Sequence, residues 1–176
     1  MQQARRLSDM ALPALREPRA EDGADIWELV RNCKPLDENS MYCNLIQCDH
    51  FRDTCVVAEL DGEIVGWISG YILPQDPETL FVWQVAVSKK ARGMGLGGKM
   101  LNDILDREAC ENVCQVQTTI TDDNDASWGL FRKFARVNGG DIDSEPHFTK
   151  ARHFRDLHQT ENMVTISLKG QMRAAA

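Results

Sequence analysis

The sequence predicts a single mixed α/β domain. The chain has 176 residues, which is enough for one domain of ordinary size and too short for two. Its apolar residues change along the chain from helical spacing to the patterns typical of strands and back again. Hydrophobic residues make up 43% and charged residues 27%, as in globular proteins. We therefore expect a flexible leader at 1–13, one domain over 14–170 and a flexible tail at 171–176.

The first part of the chain predicts a short strand and two helices. The strand lies around Leu15. The first helix opens near Ala20, carries an apolar stripe at helical spacing and stops before Pro35. The second helix begins after Ser40, a residue type that favours the N-cap position, and runs to about Phe51.

The middle of the chain predicts a meander of three strands. The first two are joined by Asp61-Gly62, a dipeptide typical of hairpin turns. After a loop that contains two prolines comes an apolar run at 80–87, in which only Gln84 is polar. Because this run is apolar on both faces, it predicts a central strand that is covered on both sides.

The last part of the chain alternates helices and strands. We expect a helix whose apolar face lies within 100–105, a strand at 115–121, a helix at 124–137 and a closing strand at 164–168. Together with the earlier elements, this order predicts a mixed central sheet with helices packed against it.

The composition excludes several classes of partner. The formal net charge is -7, which disfavours non-specific binding to nucleic acid or to an anionic membrane. The sequence has no apolar run of membrane-spanning length and no export signal, so we expect a cytoplasmic protein. The six cysteines include no C-x-x-C pair and no histidine pair that would complete a zinc site. We expect reduced thiols and no metal.

A glycine-rich segment at 92–99 follows the apolar strand and precedes a helix. Glycines at a helix N-terminus allow backbone N–H groups to approach a phosphate closely. A dinucleotide fingerprint would need to follow the first strand and to be followed by an acidic residue at the end of the next strand. A P-loop would need serine or threonine where Met100 stands. Both interpretations fail on this context.

The pattern R-x-x-G-x-G from Arg92 to Gly97 resembles the acetyl-CoA loop of the GNAT superfamily of N-acetyltransferases. Further along, N-x-x-S-x-x-L-F from Asn124 to Phe131 resembles a second helix of that family. The resemblance implies acetyl-CoA as co-substrate, helices on both faces of the sheet, and strands splayed apart at the acetyl-CoA site. It also implies that acetyl-CoA is bound by Val85, Ala86, Val87, Arg92, Gly93, Met94, Gly95, Leu96, Gly97, Gly98, Asn124 and Phe131.

Phe131 departs from the family pattern. GNAT enzymes usually have a tyrosine here as the general acid for the departing thiolate, and phenylalanine has no hydroxyl group. Either another group protonates the thiolate, or the thiolate leaves unprotonated, since a thiol has a pKa of about 8.5. The backbone N–H of Val85 is expected to stabilise the oxyanion.

Four segments, 36–42, 81–87, 119–127 and 160–163, resemble one branch of the family, the diaminobutyrate acetyltransferases of ectoine biosynthesis. This resemblance implies acetylation of the γ-amine of L-2,4-diaminobutyrate, a small diamine, and a homodimer. It places the substrate against Asp37, Tyr42, Trp83, His158 and Glu161. Trp83 lies two residues before Val85 and is therefore expected on the same face of the strand, where it could bind an ammonium group by a cation–π contact.

The sequence leaves the general base open among Glu161, His158 and Asp37, with Glu161 and His158 as the catalytic candidates beside Val85. It also leaves two alternatives for the function as a whole. One is a GNAT enzyme for another small amine, and the other is a non-catalytic acyl-CoA sensor, which the missing hydroxyl of Phe131 favours.

Overall fold

The computed structural model describes residues 12–168. Most of the expected leader, and the whole expected tail, lie outside these residues. The helices and strands, in chain order, are β1 (Ala14–Arg16), α1 (Gly23–Arg31), α2 (Met41–His50), β2 (Val56–Leu60), β3 (Glu63–Leu73), β4 (Asp76–Val87), α3 (Leu96–Leu105), β5 (Gln115–Thr121), α4 (Asp125–Val137), β6 (Asp141–Phe148) and β7 (Glu161–Ser167).

The strands form one seven-stranded sheet in the order β1-β2-β3-β4-β5-β7-β6. The β4–β5 pair is parallel, and each of the other pairs is antiparallel. The mixed α/β class predicted from the sequence is therefore confirmed.

Two buried clusters lie on opposite faces of the sheet. On β2, Val56 packs into the cluster beneath α3 and α4, whereas Val57 packs into the cluster beneath α1 and α2. Adjacent strand residues point to opposite faces, so the helices cover both sides, as expected. Among the described strands, β2, β3 and β4 contribute buried residues to both clusters, whereas β5 and β7 contribute to the first cluster alone.

Local signals explain where several elements begin. The Ser40 hydroxyl accepts a hydrogen bond from the Cys43 N–H at 3.1 Å, and the Asn124 side chain accepts one from the Ser127 N–H at 3.1 Å. Both residues are N-caps, and that role was predicted for Ser40. In the β2–β3 hairpin, Asp61 and Gly62 have φ values of 52° and 80°, as a two-residue hairpin turn requires.

Three sequence predictions need correction. The loop expected around Pro74 and Pro77 contracts to a turn, because β3 extends to Leu73 and β4 starts at Asp76. Pro77 is tolerated there because it falls within a register shift of the β3–β4 ladder, where it has no assigned strand partner. The first helix begins at Gly23, after a short 3₁₀ turn. Strand β6 is not predicted at all, because it is exposed along its whole length and carries no alternating apolar pattern.

Candidate active site

Strands β4 and β5 separate at the centre of the sheet. Their parallel pairing is confined to residues 79–81 of β4 and 115–117 of β5. Beyond Phe81, β4 continues to Val87 with β3 as its only ladder partner in the described sheet. This is the splayed geometry that the sequence resemblance implies, and it leaves one edge of β4 facing an open cleft.

The pairing of β4 with β3 determines which backbone groups face that cleft. The Ser88 N–H donates to the Val65 carbonyl at 2.8 Å, and hydrogen-bonded pairs alternate along an antiparallel ladder. The backbone of Ala86 is therefore bonded to β3, whereas the backbone groups of Val85 and Val87 point toward β5. The Ala86 side chain is also buried, beneath α1. The expectation that Ala86 binds acetyl-CoA is not supported.

A cavity of about 790 Å³ opens beside the glycine loop; we call it the cofactor cavity. Gly93 and Gly95 adopt φ values of 81° and 69°. Residues other than glycine rarely adopt such positive values. Gly95 is the N-cap of α3, so the N-terminal amides and dipole of that helix are directed at the loop.

The charge of the cofactor cavity is opposite to that of the whole chain. Its described lining contains no aspartate or glutamate, and it contains the cations Lys34, Arg92, Lys99 and Lys133. In a protein of net charge -7, this concentration of positive charge at a helix N-terminus suits a ligand that carries several phosphates.

Most of the predicted cofactor-binding residues line this cavity, but two do not. The residues in place are Val85, Val87, Arg92, Gly93, Met94, Gly95, Leu96, Gly97, Gly98 and Asn124. Phe131 lies instead in the neighbouring cavity and is almost completely buried. The Val87 carbonyl already accepts hydrogen bonds from Cys33 Sγ at 3.4 Å and from Arg92 Nε at 3.3 Å, so its N–H is the group left for a ligand.

A second cavity, of about 560 Å³, lies on the other side of the cleft; we call it the acceptor cavity. Some residues line both cavities and mark the junction between them: Pro35, Leu36, Val85, Asn124 and Ser127. Two ligands could therefore approach one another at Val85. Ser127 precedes Phe131 by one helical turn, so its hydroxyl lies on the same helix face as the missing tyrosine hydroxyl.

Asp37, His158 and Glu161 meet in the acceptor cavity. Nε2 of His158 lies 3.6 Å from a carboxylate oxygen of Asp37 and 3.9 Å from one of Glu161. Nδ1 lies 2.8 Å from the Gln159 carbonyl oxygen. Because a carbonyl oxygen can only accept a hydrogen bond, Nδ1 carries the hydrogen, and Nε2 is directed at the two carboxylates.

Burial raises the pKa of the Glu161 carboxyl above its usual value. The charge of protonated His158 and a hydrogen bond from Thr119 act in the opposite direction, and the nearby carboxylates of Asp37 and Asp123 add to the rise. Glu161 therefore holds a proton more readily than an exposed glutamate does, which suits a group that accepts one during a reaction.

Trp83 lies at an irregularity of β4. Ser69 pairs with Gln84 while the next residue of β3, Gly70, pairs with Val82, so Trp83 is the extra residue of a β-bulge. Strict alternation does not hold across a bulge, so the spacing of Trp83 and Val85 does not by itself place them on one face. Both residues nevertheless line the acceptor cavity.

Tyr42 is the one predicted substrate-binding residue that does not reach the acceptor cavity. It lies in the first turn of α2 and is 71% exposed. Within one chain, therefore, the described cavity lining contains Asp37, Trp83, His158 and Glu161 but not Tyr42.

Gln84 is a site residue that the sequence analysis did not assign. Its side-chain amide donates to the Asp37 carbonyl at 2.9 Å, while its own carbonyl oxygen is buried and has no partner among the described residues. The bond fixes the segment that carries Asp37 against β4. Its signal was visible in the sequence, because Gln84 is the only polar residue of the apolar run at 80–87.

Comparisons with known proteins agree with this geometry. The family model "Acetyltransferase (GNAT) family" matches residues 23–135. The chain belongs to the GNAT family of acetyltransferases. Acetyl-CoA is therefore its co-substrate, and the cation-lined cofactor cavity with its glycine loop fits that molecule.

Individual relatives narrow the GNAT assignment. The chain is 50% identical over 158 residues to an L-2,4-diaminobutyric acid acetyltransferase of Methylotuvimicrobium alcaliphilum, covering 89% of this chain and 92% of that protein. It is 46% identical to the enzyme of the same name from Vibrio parahaemolyticus, with coverage of 88% and 85%. The chain therefore lies within the diaminobutyrate acetyltransferase branch of the GNAT family.

Solved structures agree with this placement. The diaminobutyrate acetyltransferase EctA of Paenibacillus lautus, solved with L-2,4-diaminobutyric acid and coenzyme A, superposes with a TM-score of 0.83 at 37% identity, covering 89% of this chain and 95% of that one. Ard1 from Thermoplasma volcanium, at 18% identity and a TM-score of 0.69, shares the fold.

Three further features of the described part of the chain bear on the sequence predictions. Among residues 12–168, no helix is long and apolar enough to cross a membrane, and no group of three or more potential metal ligands is present. All six cysteines are free thiols.

Proposed function

We propose that this GNAT enzyme transfers the acetyl group of acetyl-CoA to the γ-amine of L-2,4-diaminobutyrate, a step of ectoine biosynthesis and thus of osmoprotection. The observation that carries the proposal is the meeting of two chemically different cavities at Val85. One is cationic and suits the phosphates of acetyl-CoA. The other presents carboxylates and a tryptophan, which suit a small molecule with ammonium groups.

The acceptor cavity contains a route for the proton that the substrate must lose. An alkyl ammonium has a pKa of about 10, so the amine must be deprotonated before it can attack the thioester. Nε2 of His158 lies 3.6 Å from a carboxylate oxygen of Asp37 and 3.9 Å from one of Glu161, and of these two carboxylates Glu161 is the more buried, with 19% of its side chain exposed against 88% for Asp37. Glu161 takes the proton, and His158 holds the carboxylates of Glu161 and Asp37 in place.

The residues at the junction of the two cavities stabilise the charges that develop during acetyl transfer. The thioester supplies an activated carbonyl carbon, and the Val85 N–H, which points away from β3, stabilises the oxyanion formed there. The Ser127 hydroxyl donates a hydrogen bond to the departing thiolate in place of the absent tyrosine. The remaining acceleration comes from holding amine and thioester together at the junction.

The position of the new amide bond tests the proposal. Incubation of the enzyme with acetyl-CoA and L-2,4-diaminobutyrate should give only the N4-acetyl product, because one amine reaches the Val85 junction while the other stays among the carboxylates. Two-dimensional NMR of the product distinguishes the two amides. A predominant α-amide would contradict the proposed orientation.

We also propose that the enzyme is a homodimer. Large apolar side chains are exposed near the mouth of the acceptor cavity, where Trp83 is 48% and Leu157 is 89% exposed. Tyr42 is exposed as well, and β6 leaves one edge of the sheet unpaired among the described strands. Sedimentation equilibrium should give twice the mass of one chain, and a monomer at micromolar concentration would refute the dimer.

The free thiols also bear on where the enzyme works. Six reduced cysteines are typical of a reducing compartment, and we propose the cytoplasm.

A further inference from the structure

The segment at 149–160, which joins β6 to β7, forms one wall of the acceptor cavity. Lys150 is held in this segment from both sides. Its N–H donates to the Thr160 hydroxyl at 3.0 Å, and its carbonyl accepts from the Asp156 N–H at 3.0 Å. These two bonds therefore fix the backbone of Lys150 in the wall of the cavity.

The charge of Lys150 is opposite to that of the carboxylates around it in the acceptor cavity. The described lining of the acceptor cavity contains the carboxylates of Asp37, Asp123, Asp156 and Glu161, and Lys150 is its only lysine or arginine. Within residues 12–168, the Lys150 ammonium makes no ion pair. A cation beside four carboxylates that is paired with none of them is available to a ligand.

An amino-acid substrate needs such a cation. Its ammonium groups suit the carboxylates of the cavity, but its own carboxylate would be repelled by them. Lys150 does not line the cofactor cavity, so it is not one of the residues of the junction where the reacting amine must be. A substrate with its terminal amine at Val85 can direct its carboxylate toward Lys150.

We propose that Lys150 binds the α-carboxylate of the acceptor and so makes the enzyme selective for amino acids over diamines that lack a carboxylate. This inference rests on the proposed function. Contacts at the γ-amine, at the α-ammonium and at the carboxylate together fix the chirality of the substrate, and removal of Lys150 leaves only two of them.

The test compares two acceptors that differ in one charge, L-2,4-diaminobutyrate and its amide, L-2,4-diaminobutanamide. In the wild-type enzyme, kcat/KM should favour the acid by about 10- to 100-fold, since a hydrogen bond to a charged group contributes about 1.5–3 kcal/mol. Lys150→Gln should remove this preference, chiefly through KM for the acid, and should leave kcat/KM for the amide within about threefold.

Two further variants separate this role from general effects. Lys150→Arg should retain most of the preference, because the charge is kept. Arg152→Gln makes the same change of charge in the same segment, outside the described cavity lining, and should behave like the wild type. Circular dichroism and CoA binding check that each variant is folded.

The proposal is overturned if Lys150→Gln keeps the preference for the acid, if Arg152→Gln loses it equally, or if the wild type has none. Absence of any turnover of L-2,4-diaminobutyrate by the folded wild type would instead refute the proposed function, and the role of Lys150 with it. The two failures are therefore distinguishable.

Discussion

Replacement of Glu161 by glutamine is expected to lower kcat for L-2,4-diaminobutyrate by about 100-fold or more, because a positioned general base contributes about 10²–10⁴-fold. Glutamine keeps the size of the side chain and a hydrogen-bonding oxygen, but it cannot take up the ammonium proton. The affinity for CoA should not change, because Glu161 lines only the acceptor cavity. Steady-state kinetics and a CoA titration measure the two effects separately.

The effect of Glu161→Gln on activity should also depend on pH. The pKa of Glu161 is raised above its ordinary value of 4.5, so the carboxylate is lost by protonation at a higher pH than for an exposed glutamate. The ratio of wild-type to Glu161→Gln activity should therefore be constant near neutral pH, where the substrate amine is still protonated, and fall as the pH decreases through the raised pKa. Glu145→Gln, on the exposed strand β6, is the control. Wild-type kcat in Glu161→Gln would transfer the base role to His158.

Replacement of Gly95 by valine is expected to weaken CoA binding by about 100-fold or more. Gly95 has a φ of 69°, which a β-branched residue can hardly adopt. A shift of the backbone there would turn the first amides of α3 away from the pyrophosphate, and each hydrogen bond to a charged group contributes about 1.5–3 kcal/mol. Isothermal titration calorimetry with CoA measures the loss.

Gly62 provides the matched control for this prediction. It has a φ of 80° in the β2–β3 turn, and a β-carbon there would meet no atom within 4 Å, as is also the case at Gly95. Gly62→Val should therefore cost comparable stability without affecting CoA binding. If both valine variants bind CoA as the wild type does, or if both lose binding equally, the glycine loop does not hold the pyrophosphate in the way we describe.

The sequence predicted those parts of the site that local physics determines. A loop with positive φ values that lets a phosphate approach its backbone requires glycines, and these precede an amphipathic helix in the sequence. The loop at 92–99 could therefore be identified from the sequence without knowledge of the fold. The N-cap at Ser40 and the Asp61-Gly62 turn are equally local signals. Each of these features depends on residues only a few positions apart.

Other parts of the site depend on pairing between distant segments and could not be predicted. The bulge at Trp83 exists because of the register between β3 and β4. The interaction of His158 with Asp37 joins residues far apart in the chain. Strand β6 is recognised only by its ladder with β7, since an exposed strand leaves no alternating pattern in the sequence.

The two cavities meet at a point that, in the proposed function, suits the γ-amine of L-2,4-diaminobutyrate. Thiol release from acetyl-CoA tests it directly when L-2,4-diaminobutyrate is compared with its shorter and longer homologues, L-2,3-diaminopropionate, L-ornithine and L-lysine. We expect kcat/KM to be highest for L-2,4-diaminobutyrate and to fall for both the shorter and the longer homologues. Equal rates across the series, or a maximum at another chain length, would contradict it.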